Sequence, residues 1–399
     1  MFSHRLAWPP RENRLSILLK EKRRRQEPLL DLTESNPTRV GLAYPAARLA
    51  EALADPGVTS YDPDPRGLAA AREAVAAFCV RHGQSASPDR LLLTASTSEA
   101  YALLFKMLAD PGDAILTPRP SYPLFDDLAA LEAVRPTPYP IILEHRWQID
   151  LDGLAGLLDG AGPLPPRALV LVNPNNPTGN ALRPKERRAL EDLCAPRDVA
   201  IISDEVFLDY RFETAAGEDI VSMAGARPSE KPSVLSFTLG GLSKSCGLPQ
   251  MKLGWILMHG PESLVRQAME RLELIADTYL SVGTPVQRAA ARLLLMGEEI
   301  GEEIRDRVRR NRGALAAAVP QGSSCRLLPA DGGWYAVLQV PAVQPEEDLV
   351  LGLLGKDGVV VHPGYFFDFP REAFLVLSLL PDPATVAEAI EKILQRVAG

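Results

Sequence analysis

No apolar run in this 399-residue sequence is longer than a β-strand, so no membrane-spanning helix, which needs about 20 such residues, is expected. The first residues, MFSHRLAWPPREN, lack the apolar stretch of a secretory leader. Cysteine is scarce: Cys79, Cys194, Cys246 and Cys325 stand far apart, without any metal-type spacing. The five histidines are equally dispersed, and no metal site is expected. Reduced thiols and a cytoplasmic protein are the expectation. Excess positive charge is missing too. A net charge of −8 and a pI near 5.4 argue against nucleic-acid and membrane-surface partners. Neither a G-x-G-x-x-G dinucleotide fingerprint nor a Walker loop is present, which removes the simplest nucleotide-binding readings.

What remains is ordinary for a soluble globular chain: 46% hydrophobic and 24% charged residues, at a length that suits a large and a small domain. One basic run, KEKRRR at 20–25, ends the amphipathic stretch LSILLKEKRRR. It reads as the solvated end of a helix, where positive charge suits the carbonyl terminus. Proline is the one excess, at 36 residues, and with loops such as DPDPRG it implies stiffened connections.

From residue 90 onward short apolar runs alternate with helical patterns. LLLT (91–94), AILT (114–117), RALVLVN (167–173), VAIIS (199–203), SVLSFT (233–238) and LGWILM (253–258) read as strands. SEAYALLFKMLAD, FDDLAALEA and PKERRALEDLCA read as intervening helices, and PESLVRQAMERLELIADTYL as a long helix leaving the domain. Runs dense in apolar residues and separated by helices mark a mostly parallel sheet with helices on both faces, one strand expected antiparallel. After residue 290 a helix is followed by GGWYAVLQV, GVVVHPG, AFLVLSLL and a terminal helix, the pattern of a smaller α+β domain. The expected division is an N-terminal segment 1–45 lying on the small domain and a partner subunit, a large α/β domain 46–290, and a small domain 291–399.

In open α/β sheets ligands bind at the carboxyl ends of the strands. After LLLT come Ser96, Thr97 and Ser98, either ordinary helix caps or a phosphate cradle. After AILT the proline-fixed loop PRPSYPLF carries Tyr122, a packing residue or a stacking one. NPNNPTGN follows RALVLV and offers both turn geometry and amide side chains. Asp204 follows VAIIS and could cap a helix or hold a protonated ring nitrogen. After SVLSFT comes GLSKSCGLPQMKLGW, with Lys244 between two serines and Lys252 eight residues on. Singly each has a bland reading. Jointly they supply what pyridoxal 5'-phosphate needs: an imine-forming amine, an acid for the pyridine nitrogen and an anion cradle.

The chain resembles the class I/II aminotransferases of pyridoxal-phosphate fold type I, through NPNNPTG, SDEVF and SKSCGLPQMKLGW in that order. The resemblance implies that Lys244 is the Schiff-base lysine, Asn176 the partner of the cofactor's phenolic oxygen and Asp204 the partner of its pyridinium. It further implies that Tyr122 stacks on the ring and that Ser96, Thr97, Ser98, Ser243 and Lys252 hold the phosphate. Tyr61, in SYDPDPRG, matches a tyrosine that reaches the neighbouring subunit's phosphate, which implies a homodimer with shared sites. The reaction implied is transfer of an amino group between an amino acid or related amine and a 2-oxo acid. β-Elimination, decarboxylation and racemisation use the same motifs. A pyridoxal-phosphate-sensing regulator would carry a DNA-binding domain, for which about forty residues leave little room.

Four positions depart from the family pattern. Phe207 stands where a tyrosine is common, Gly241 where a phosphate-binding serine is frequent, and Lys252 where an arginine clamps the phosphate. Val376, in FLVLSLL, occupies the position of the arginine that grips the substrate carboxylate. Arg39 and Arg371 are the candidates to replace it, and weak activity with aspartate or glutamate is expected.

Overall fold

Every residue of the strands Leu91–Thr94, Ala200–Asp204, Ser236–Gly241 and Gly254–His259 is buried, as befits a sheet covered on both faces. In the computed structural model, which describes residues 2–6, 12–160, 165–212, 219–225, 232–320 and 322–398, they belong to one sheet of eight strands. Its spatial order is 91–94, 254–259, 236–241, 200–204, 166–172, 114–119, 135–143 and 147–149. The five strands from 236–241 to 135–143 run parallel, and Gly254–His259 is antiparallel to both of its neighbours. Leu92, Ile115, Val170, Ile202 and Ile256 pack one face against the helices Thr97–Leu108 and Glu262–Asp277. On the other face, Leu91, Leu93, Trp255 and Leu257 pack with the 35-residue helix Thr284–Ala318. No helix among the described residues is long and apolar enough to cross a membrane.

Two details of the sheet differ from expectation. Arg135–Leu143 is a strand despite Pro136, Pro138 and Pro140, and Trp147–Ile149 adds a second antiparallel strand at its edge. Prolines at every second residue direct all their missing N–H groups to the same side, so the bonds toward the strand Ala114–Arg119 survive. The strand before the lysine lies three residues later than the run SVLSFT and ends on Gly240–Gly241. A Cβ at Gly240 would lie 2.5 Å from the Trp255 indole, so glycine here makes room for a cross-strand tryptophan.

Residues 326–327, 335–339, 374–378 and 362–363 form a second, antiparallel sheet, closed by the terminal helix Pro383–Ala398. The N-terminal segment lies on this part of the chain. Its strand Leu30–Asp31 pairs with Val359–Val360, and Ser378 donates from its N–H to Leu32 O and from its hydroxyl to Glu34 O. The expected helix over LSILLKEKRRR is Arg14–Arg24, with Asn13 as its cap and Lys22, Arg23 and Arg24 in its last turn. All four cysteines are buried and unpaired with one another.

Candidate active site

The carboxyl ends of the parallel strands open into a cavity of about 360 Å³. Ser96, Thr97, Ser98, Tyr122, Asn176, Asp204, Ser243, Lys244 and Lys252 all line it. Residues from 96 to 252 converge because each follows a strand of one sheet, and Gly254, at the start of the antiparallel strand, closes the floor. A Cβ on Gly254 would meet the Thr94 hydroxyl at 3.1 Å and the Ser96 carbonyl carbon at 3.2 Å, so the floor is as close to the helix start as backbone allows.

The hydroxyl cluster is both cap and cradle. Ser96 Oγ accepts from Glu99 N–H at 3.2 Å, and Glu99 reaches back to Ala95 N–H at 2.6 Å, as N-terminal capping requires. Ser96, Thr97 and Ser98 border the cavity at the start of this helix, and hydroxyls and free N–H groups at a helix start suit a phosphate.

The asparagine-rich turn divides its labour. Asn173 holds Leu182 N–H and Val221 O, and Asn175 holds Pro120 O, Thr178 and the Ser121 hydroxyl, which ties the turn to the loop bearing Tyr122. Asn176 lines the cavity, and its buried Oδ1 has no partner. The amide N–H groups of Asn176 are donors suited to an anionic oxygen of a ligand. That donor, the hydroxyl cradle and the amine–carboxylate pair fit pyridoxal phosphate.

Comparison with known proteins agrees with this geometry. The family model described as aminotransferase class I and II matches residues 27–393. The alanine aminotransferase of Mycobacterium tuberculosis is 28% identical over 380 residues, 92% of this chain and 84% of that protein. The glutamate–pyruvate aminotransferase of Escherichia coli is 25% identical over 395 residues, 96% of this chain and 94% of that protein. The solved structure of an alanine aminotransferase from Pyrococcus furiosus superposes with a TM-score of 0.87 at 23% identity, covering all of both chains. The chain belongs to the class I and II aminotransferases. It is a pyridoxal-phosphate-dependent enzyme of fold type I, as the sequence motifs implied.

Two charged groups dominate the aminotransferase cavity. Asp204 is 9% exposed. Burial, against two hydrogen bonds, pushes its carboxyl up to about 6. Lys244 lies on the single helical turn Leu242–Ser245, whose end is pinned by the Tyr210 hydroxyl donating to Lys244 O at 2.6 Å. Burial lowers the Lys244 amine, and nearby Asp204 opposes that shift. Its Nζ sits 5.0 Å from the centroid of the Trp334 ring, within cation–π range.

The departures have visible causes or consequences. Phe207 lines the cavity and packs edge-on to Trp334 and Tyr335. A Cβ on Gly241 would stand 3.2 Å from Leu253 O, so a serine there would require the neighbouring strand to yield. Val376 is fully buried among Val337, Phe367, Phe369 and Phe374, outside the cavity. Arg39 and Arg371 are both exposed, and neither lines the cavity. Arg371 lies over the Phe374 ring at 5.6 Å, in a separate groove. No arginine is among the described residues of the cavity wall. Tyr61 is 77% exposed and lines another hollow, away from its own chain's cavity.

The sequence reading did not single out Tyr101, Tyr335, Trp334 or Ser35. Tyr101 lies inside an amphipathic helix, where an aromatic reads as core. Tyr335, Trp334 and Ser35 reach the site from the small-sheet region and the N-terminal segment, which only the tertiary fold brings near Lys244. Ser35 lies beside the Tyr335 phenol, which is pushed up chiefly by burial.

Proposed function

We propose that this aminotransferase exchanges an amino group between an amine donor and a 2-oxo acid with Lys244 as its proton-carrying amine. The observation that carries the reading is the meeting of Lys244, Asp204, Asn176 and the hydroxyl cluster in one cavity. Bound pyridoxal phosphate supplies a carbonyl that condenses with amines and a ring that withdraws charge from the carbon being deprotonated. The chain does the rest. Burial favours the neutral form of Lys244 Nζ, which can accept a proton from the donor's α-carbon and return it on the other side of the exchange. The Trp334 face beneath it stabilises the ammonium form in between. Asp204 keeps a proton on the cofactor's ring nitrogen. Asn176, in the cavity wall, offers its amide N–H to the phenolic oxygen, and with Phe207 in place of a tyrosine it does that work alone. Tyr122 stacks on the ring, and Ser96, Thr97, Ser98, Ser243 and Lys252 hold the phosphate.

The same reading includes a homodimer in which Tyr61 crosses to the partner's phosphate, supported by its exposure and by its place outside the lining of its own cavity. It keeps the division into 1–45, 46–290 and 291–399, and a cytoplasmic site of action, supported by four buried thiols without disulfides. The relatives are named for alanine and for glutamate–pyruvate exchange. Those donors carry a carboxylate, and among the described residues of the cavity wall there is no arginine to receive it.

A panel of amine donors mixed with the purified holoenzyme tests this. Conversion of the aldehyde form of the cofactor to its amine form, followed by absorbance and reversed by a 2-oxo acid, is the expected result. Stoichiometric ammonia or thiol release without the amine form would make the protein a lyase instead.

A further inference from the structure

We infer that Tyr101 is a positioning residue that clamps Asp204 and fixes it relative to the phosphate cradle. The phenol donates to Asp204 Oδ2 at 3.2 Å, while Val206 N–H donates to Oδ1 at 3.2 Å. Both partners are buried, Tyr101 at 4% and Asp204 at 9% exposure, and a hydrogen bond is stronger in such low-dielectric surroundings than in water. A carboxylate has about four acceptor sites. The two donors occupy one on each oxygen and leave lone pairs for a ring N–H.

The clamp belongs to a rigid element. Tyr101 is on the helix Thr97–Leu108, one turn beyond the hydroxyls at its start, about 6 Å along the axis. Its ring meets Phe125 edge-on at 5.4 Å and Phe105 at 5.8 Å, and Phe125 follows directly from the loop that presents Tyr122. One helix therefore sets the spacing between the groups that hold the phosphate and the group that holds the ring nitrogen.

The clamp also bears on the charge state of Asp204. Burial and the adjacent Glu205 favour its neutral form; Val206 N–H, the Tyr101 phenol and Lys244 favour the carboxylate. Tyr122 is close enough to feel the same charge. Glu205 points away into its own set of donors, Ser203, Ser222, Met223 N–H and Gln84, and stays fixed. Of the two hydrogen bonds to Asp204, only the one from Tyr101 can be removed by changing a side chain.

The inference rests on Asp204 as the ring-nitrogen partner, and the experiment separates the two. Tyr101→Phe keeps the ring and its packing. Holoenzyme loaded with pyridoxal phosphate carrying ¹⁵N in the ring is compared as wild type, Tyr101→Phe, Asp204→Asn and the double variant. Tyr101→Phe is expected to weaken cofactor affinity about tenfold or more, as loss of a hydrogen bond to a charged group does. It should shift the ¹⁵N resonance toward neutral pyridine and raise the pH below which cofactor is lost. In the Asp204→Asn background the same change should add almost nothing. An unaltered resonance and affinity in Tyr101→Phe, with both altered in Asp204→Asn, would overturn the clamp alone. Full additivity in the double variant would also overturn it. No change in Asp204→Asn would overturn the assignment of Asp204 itself.

Discussion

On the large-sheet side of the cavity stand three hydroxyls at a helix start, the Asn176 amide, the Asp204 carboxylate and two lysines. The opposite side, built from the N-terminal segment and the small-sheet region, contributes Ser35 and Tyr335, with Phe207 between. The first wall is charged and rich in donors; the second is aromatic and hydroxyl-bearing, and Val376 lies buried behind it. In the proposed reading the first wall meets pyridoxal phosphate, whose anionic phosphate and ring nitrogen do not vary, and the second meets the substrate. Among the described residues of the cavity wall there is no arginine, and the same reading therefore expects the substrate to be gripped differently. A bidentate arginine–carboxylate fork is strong and directional, so its absence should be visible in which donors react.

The comparison breaks most visibly at Lys244. Lys244→Ala should abolish exchange, with roughly 10²–10⁴-fold lost from proton transfer alone. Borohydride treatment of the wild type should fix the cofactor to the peptide containing Lys244, and the variant should show no protein-linked cofactor after the same treatment. Retention of that linkage would remove Lys244 from the first wall. The substitution carries little structural risk, because the backbone of this turn is held by Tyr210 through the carbonyl and by Gly247 N–H, not by the lysine side chain.

How far the two walls were legible in the sequence differs for the same reason. The first wall follows strands that are apolar runs, and chain order alone places what comes after each of them at one edge of a parallel sheet. Lys244, Asp204 and Asn176 therefore announce themselves. What the sequence could not apportion was role within a motif. Asn173 and Asn175 bind the turn, which is settled by Pro120, 55 residues before Asn175, and Val221, 48 residues after Asn173. Tyr101 was hidden because a helical aromatic reads as core, and most of its ring is core; only the phenol oxygen differs. The strand Arg135–Leu143 was hidden by three prolines whose common direction is a property of the pleat, not of composition. The second wall is assembled from chain segments some 300 residues apart, Ser35 and Tyr335, and no local pattern marks them.

Tyr61 sharpens the comparison by asking whether the first wall is complete within a single chain. An exposed tyrosine outside its own cavity gains a role only across a subunit interface. Tyr61→Phe is expected to weaken cofactor binding by roughly 1.5–3 kcal/mol, about 10- to 150-fold in Kd, with the fold unaffected because the side chain is solvent-facing. Equilibrium dialysis against pyridoxal phosphate measures it, and sedimentation of the enzyme during turnover reads its assembly; a fully active monomer in solution would refute the shared site outright.

The smallest effects belong to Arg39 and Arg371, and they decide how the second wall is read. Both are exposed, and neither lines the cavity. Arg371 is engaged with Phe374, which stacks on Phe369 at 4.6 Å, so Arg371→Ala should cost no more than an exposed cation–π contact, about 0.5–1 kcal/mol of stability. Arg39→Ala should cost less. Neither should change the half-reaction rate with any donor by more than about twofold, since only 1.4 kcal/mol separates tenfold steps and no contact with the cavity is lost. Glutamate and aspartate should react weakly in all three proteins. A donor and its decarboxylated counterpart should differ little, because no fork is present to reward the carboxylate. A large loss on Arg39→Ala or Arg371→Ala confined to carboxylate-bearing donors would show that one of them swings into the cavity and restores the missing grip. Efficient turnover of glutamate that neither substitution disturbs would show instead that the burial of Val376 among phenylalanines does not govern donor choice, and that the second wall recognises carboxylates through groups other than arginine on this chain.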